Sequence, residues 1–136
     1  MNKTTIRAFV IVVGMTLLSG FTALAQNGFD FKMSSSFYAG NARMPAGTYN
    51  LRPIQGEEGV FQLQNSSGSH AVILETRQSS KTSKGNPEIL FNRYDKTDYL
   101  EAVETATGNS IDIMPSAAER IAAKKATAQP HTVPAT

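Results

Sequence analysis

The chain has no cysteine. No disulfide can brace it, so its stability has to come from a buried core. The lipid-bearing residue of a bacterial lipoprotein is missing as well. Histidine is scarce, with only His70 and His131. A histidine-based zinc site needs several converging nitrogen, sulfur or carboxylate ligands. A serine triad needs a histidine beside an activated serine. Neither pattern is present: there is no G-x-S-x-G motif, and Ser34–Ser36 sit in turn-like composition. His70 reads as an ordinary strand-edge residue and His131 as part of a tail. No catalytic residue, metal site or cofactor is expected.

An excess of one charge is also lacking once the start of the chain is read correctly. Lys3 and Arg7 precede an apolar run from Ala8 to Leu18, and Ala23-Leu24-Ala25 follows as an A-x-A cleavage pattern. This is the layout of a signal peptide spanning residues 1–25, cut between Ala25 and Gln26. The run is short for a spanning helix, which takes roughly 20 residues. There is no second long hydrophobic run, so no membrane span is expected after the signal is removed. Cleavage leaves 111 of the 136 residues, enough for one small domain. It also takes two from the 13 basic residues, which then equal the 11 acidic ones. A neutral exported chain lacks the basic footprint of a nucleic-acid binder, and none is expected as a partner. The expected location is the periplasm or the medium.

What the chain does have is alternation. Phe29, Phe31 and Met33 alternate with Asp30 and Lys32, a strand with one apolar face. Ser34–Ser36 interrupt it, and Phe37-Tyr38 continue it to a turn at Gly40-Asn41. Met44-Pro45-Ala46-Gly47 reads as a tight turn, with proline presetting φ and glycine closing it. Pro45 and Gly47 thus form a rigid corner that feeds the strand Gly47–Ile54. Further strands are expected at 60–65, 69–76, 88–94, 99–105 and 110–114, with the polar stretch Gln78–Pro87 as a surface loop. The continuous run Val72-Ile73-Leu74 suggests a strand covered on both faces. After Pro115 the period changes. Ser116 and Glu119 form a capping box, opening an alanine-rich helix to about Ala126. Gln129–Thr136, with Pro130 and Pro134, reads as a disordered tail.

The chain is therefore expected to be mainly β. About seven antiparallel strands would form a small sandwich or barrel over residues 26–115, with a short C-terminal α-helix at 116–128 and a tail at 129–136.

Several segments together carry a resemblance. They are Phe37-Tyr38-Ala39-Gly40-Asn41, Met44-Pro45-Ala46-Gly47-Thr48-Tyr49, Leu90-Phe91-Asn92-Arg93-Tyr94 with Tyr99-Leu100, and Met114-Pro115-Ser116 with Glu119. As a set they resemble small exported bacterial β-domain proteins of uncharacterised function. The resemblance implies an all-β domain with a C-terminal helix, and no activity.

Three chemistries remain to be weighed. Asp95 and Asp98 share a short connection and offer oxygens to a hard cation, but turn aspartates usually bond their own backbone. Glu101 and Glu104 cannot share a strand face, although Glu75 and Glu101 from different strands could form a hydrolase pair. Tyr38, Tyr49, Tyr94 and Tyr99, with Phe91, could line a binding groove or simply pack the core and its rim. Arg52, Arg77 and Arg93 could pair with Glu75, Glu88 or Glu101 across strands or mark an anion site, and cross-strand pairing is the commoner outcome. The reading that follows is an exported non-enzymatic binding or structural module of the cell envelope, with an unknown protein or envelope component as partner. The alternatives are a small-ligand carrier with a pocket in the β domain, or a carboxylate-dependent hydrolase. In the carrier, Phe29, Phe31, Phe61, Ile73 and Phe91 would compete with the ligand for the interior.

Overall fold

The computed structural model describes residues 28–80 and 85–136; the expected signal peptide and its cleavage point Ala25–Gln26 lie outside them. Ten strands and one helix follow in order: β1 (Phe29–Met33), β2 (Phe37–Ala39), β3 (Ala42–Met44), β4 (Gly47–Pro53), β5 (Val60–Asn65), β6 (Ala71–Ser80), β7 (Glu88–Tyr94), β8 (Thr97–Glu104), β9 (Asn109–Ile113), α1 (Ala117–Lys125) and β10 (Gln129–Pro134). The protein is mainly β with one short C-terminal helix, as its alternation implies.

The strands form one mixed sheet that is not closed. Its main path runs β1-β4-β5-β6-β9-β8-β2-β3, with β7 and β10 branching from β8. All neighbours are antiparallel except β2 and β8, which run parallel through Phe37–Asp98 and Tyr38–Tyr99. β8 gives one edge to β7 along its length. The opposite edge meets β2 at its start and β9 at its end. The strands outnumber the roughly seven expected partly through β10 and partly because Ser34–Ser36 do not merely interrupt β1. They end it, and β2 and β3 form a separate hairpin that joins the other end of the path.

The Met44–Gly47 corner carries the chain from that hairpin into β4, which lies between β1 and β5. Gly47 takes φ of 154°, a region other residues rarely occupy. The corner is locked from inside the sheet. The Tyr49 hydroxyl donates to the Pro45 carbonyl, and the ring lies against Phe31 and Phe37. Phe91 completes this cluster, whose neighbouring centroids are 5.0–6.3 Å apart. Leu51, Leu63, Ile89 and Val103 extend the core. Aromatic pairs in these edge and offset geometries add to plain area burial.

Two expectations about exposure are corrected. Tyr49 is 1% exposed and belongs to the core, not to a binding surface. Ile73 is 56% exposed. The run Val72-Ile73-Leu74 keeps strict alternation, with Leu74 buried and Ile73 outward, because β6 is covered on one face only at that point. β6 also runs on to Ser80, so Gln78–Ser80 are strand and not loop.

The largest correction concerns the C-terminus. Gln129–Pro134 is not a disordered tail but a strand paired antiparallel with β7, from Gln129–Arg93 to Pro134–Glu88. The prolines misdirect the reading, yet they occupy the tolerated positions. The Ala135 amide donates to the Pro87 carbonyl, so residues of its parity, His131 and Val133, point their amides at β7. Pro130 and Pro134 fall on the other parity, where the amide would face away. Proline is confined to such edge positions.

The same parity explains why the sheet stays open. Asp30 of β1 and Thr136 exchange two backbone hydrogen bonds of 3.0 Å. The next rung of an antiparallel ladder would pair Lys32 with Pro134, which has no N–H to give. Among the described residues, β1 and β10 pack against each other, but their backbones are hydrogen-bonded only through this Asp30–Thr136 pair.

Candidate functional site on the outer face

Cross-strand register builds one continuous row on the sheet's outer face. Arg43 of β3 sits opposite Tyr38 of β2, Tyr38 opposite Tyr99 of β8, and Tyr99 opposite Asn92 of β7. The Tyr38 and Tyr99 rings stack at 4.9 Å and 9°, and Tyr94 meets Tyr99 edge-on at 5.6 Å. Three of the four tyrosines singled out from the sequence therefore come together, while Tyr49 faces the core.

α1 lies beside this row. Its nine residues are too few to be stable alone. Ser116 caps it by accepting from the Glu119 amide at 3.1 Å, as half of the expected capping box. The other half is used differently. Instead of reaching back, the Glu119 carboxylate is hydrogen-bonded by Asn92 and Tyr94 of β7. The Asn41 side-chain oxygen accepts from the Ala118 amide at 3.3 Å. Burial, the largest cause, and the nearby charge of Glu101 push the Glu119 carboxyl above its ordinary pKa, against those two hydrogen bonds. Burial first, then the charge of Glu119, pushes the Tyr94 hydroxyl up too.

Two clefts flank the tyrosines and share Thr97. The first, of about 230 Å³, lies between Tyr94, Tyr99 and the helix face formed by Ala118, Ile121, Ala122 and Lys125. Those four recur at helical i, i+3, i+4, i+7 spacing. Ile121 stands at its edge, 57% exposed. The second, of about 210 Å³, is lined by Ser35, Ser36, Tyr38, Arg43 and Lys96.

On the inner face, at the same end of the sheet, lies a group that sequence reasoning missed. Asp98 is not a turn residue. The connection is only Asp95-Lys96, with Asp95 at φ of 56°, and Asp98 is the second residue of β8, 1% exposed. Arg93 donates from Nε to Oδ1 at 2.8 Å and from Nη2 to Oδ2 at 3.0 Å. His131 Nδ1 lies 2.9 Å from Oδ2. That contact requires a proton on Nδ1, so the 3.1 Å approach of Arg93 Nη2 to the same nitrogen is proximity between donors. Burial pushes the Asp98 carboxyl up. The Arg93 and His131 hydrogen bonds together outweigh that and hold it below its ordinary range. The trio joins β7, β8 and β10, and its hydrogen bonds commit Asp98 to holding the C-terminal strand, not to a cation shared with Asp95. The available signal was the alternation of His131, Val133 and Ala135 with outward Pro130, Thr132 and Pro134.

The remaining candidates are dispersed. Glu75 and Glu101 lie on β6 and β8, which are not neighbours, and both are exposed. Arg52 bonds Gln64 across β4 and β5, not an acidic residue. His70 is exposed just before β6, its amide donating to the Asn65 side chain. Among the described residues no helix is long and apolar enough to cross a membrane.

The chain matches no family model, no curated protein and no solved structure.

Proposed function

We propose that this chain is an exported, non-enzymatic binding module of the cell envelope. It engages a partner protein or envelope component through the outer face where α1 lies beside Tyr94 and Tyr99. One observation carries the reading: an isoleucine more than half exposed stands at the rim of a cleft floored by two tyrosines. Tyrosine gives a rigid apolar face with a polar tip, the composition favoured where proteins meet partners. The stacked ring of Tyr38 and the hydrogen-bonded Glu119 hold that floor in one geometry before any partner arrives. The inner face supports binding outside the sheet over carriage within it, because Phe31, Phe37, Tyr49 and Phe91 fill the space against one another.

The test is site-specific photo-cross-linking in the exporting host. A benzophenone side chain at Ile121 is expected to give a discrete adduct. Ala118→Arg, which fills the cleft from the helix, should abolish it. The same probe at Ile73, equally exposed on β6, serves as the control. An identical adduct from both positions, or none from Ile121, would remove the support for this surface.

A further inference from the structure

The second cleft has a chemistry of its own, which goes beyond the reading above and does not depend on it. Its only charged lining residues are Arg43 and Lys96. Arg43 reaches no acid: its Nη2 donates to the Ser36 hydroxyl at 3.3 Å. Among the described residues, no carboxylate lies within 4.0 Å of either cation. The two acidic residues nearest in sequence to Lys96 are turned elsewhere. Asp95 lines the helix-side cleft, and Asp98 faces inward onto Arg93 and His131. Two uncompensated cations and two serine hydroxyls therefore face one small space. The fork of Arg43 suits a tetrahedral or planar oxyanion and Lys96 adds a point charge.

Tyr38 supplies the other half of the site. It lines the same cleft, directly opposite Arg43 in the ladder, with its ring held by Tyr99. A tyrosine fixed in this way beside a cation pair accommodates a ring that carries an anionic group. At about 210 Å³ the cleft is smaller than the roughly 300 Å³ at which pockets for drug-sized ligands begin. We infer that the Arg43–Lys96–Tyr38 cleft binds a phosphate ester carried on a sugar. The phosphate lies between the two cations and the serine hydroxyls, and the sugar ring rests on Tyr38.

The test is an amide chemical-shift titration of the isotopically labelled protein at constant ionic strength. Glucose 6-phosphate should give saturable shifts at Ser35, Ser36, Tyr38, Arg43 and Lys96. Inorganic phosphate should move the same amides with several-fold weaker affinity, and glucose should leave them in place. Arg43→Gln with Lys96→Gln should weaken glucose 6-phosphate binding at least ten-fold without altering thermal unfolding, since both side chains are exposed. No saturable shift with glucose 6-phosphate, or equal affinity in the double variant, would overturn the assignment. Vesicles carrying phosphatidic acid present a phosphate monoester on a lipid and separate the sources. Co-sedimentation that the double variant loses would overturn the sugar in favour of a headgroup, and its absence supports a soluble sugar phosphate.

Discussion

Replacing Asp98 with asparagine removes one charge while keeping the side chain's shape and volume. In the wild type the carboxylate is buried and accepts from two Arg93 nitrogens at 2.8 and 3.0 Å and from His131 at 2.9 Å. An asparagine offers one oxygen and places its NH2 against a donor. Breaking a fully buried ion pair costs about 3–5 kcal/mol. Here the side chains of Arg93 and His131 are 38% and 34% exposed, so both regain water when released. The expected loss is therefore about 2–3 kcal/mol, the scale of one or two hydrogen bonds to a charged group. For a domain of this size that lowers the unfolding temperature by about 10 °C.

The pH dependence follows from the direction of the shift. A carboxyl whose folded pKa is depressed contributes stability above its unfolded value, near 3.8, and loses it as pH falls through the lower folded value. Urea unfolding of wild type and D98N should thus differ at pH 7 and converge below pH 3.8. Hydrogen exchange locates the effect: the amides of His131 and Val133, directed at β7, should exchange faster in D98N. Equal stability at pH 7, or a gap of unchanged size at the acid end, would refute the role given to this carboxylate.

Two further outcomes test the architecture. Deleting Gln129–Thr136 removes β10, the His131 contact and the Asp30–Thr136 pair, and should cost about 3 kcal/mol or more in urea unfolding, where a frayed tail would cost almost nothing. Glu119→Gln keeps the shape of the helix anchor but removes a charge whose burial is unfavourable. It should raise stability by about 0.5 kcal/mol at pH 7. The wild-type carboxyl has a raised folded pKa, so it recovers stability as pH falls towards 4.5, and the gain should vanish there.

Local pattern was enough for the mainly β class and most of the strands, the Pro45–Gly47 corner and the start of α1 at Ser116. Alternation, turn chemistry and capping are each properties of a few consecutive residues. It was also enough to nominate the tyrosines, though not to sort them. Tyr49 and Tyr99 occupy similar sequence contexts, and only their strands' places in the sheet turn one into the core and the other onto the outer face. β10 shows the limit most clearly. Proline content argued against a strand, and the alternation of His131, Val133 and Ala135 does not by itself say that a neighbouring edge will accept their amides. Arg93 and Asp98 are five residues apart and His131 lies 33 beyond Asp98, so their meeting depends on a hairpin and a distant strand docking together. The Arg43–Lys96 cleft has the same origin, in the parallel pairing of β2 with β8. Local sequence determined most of the strands, from β1 to β9, and several of the turns between them, but not β10. The tertiary structure decided which side chains meet, because register and burial depend on the partner strand as much as on the residue itself.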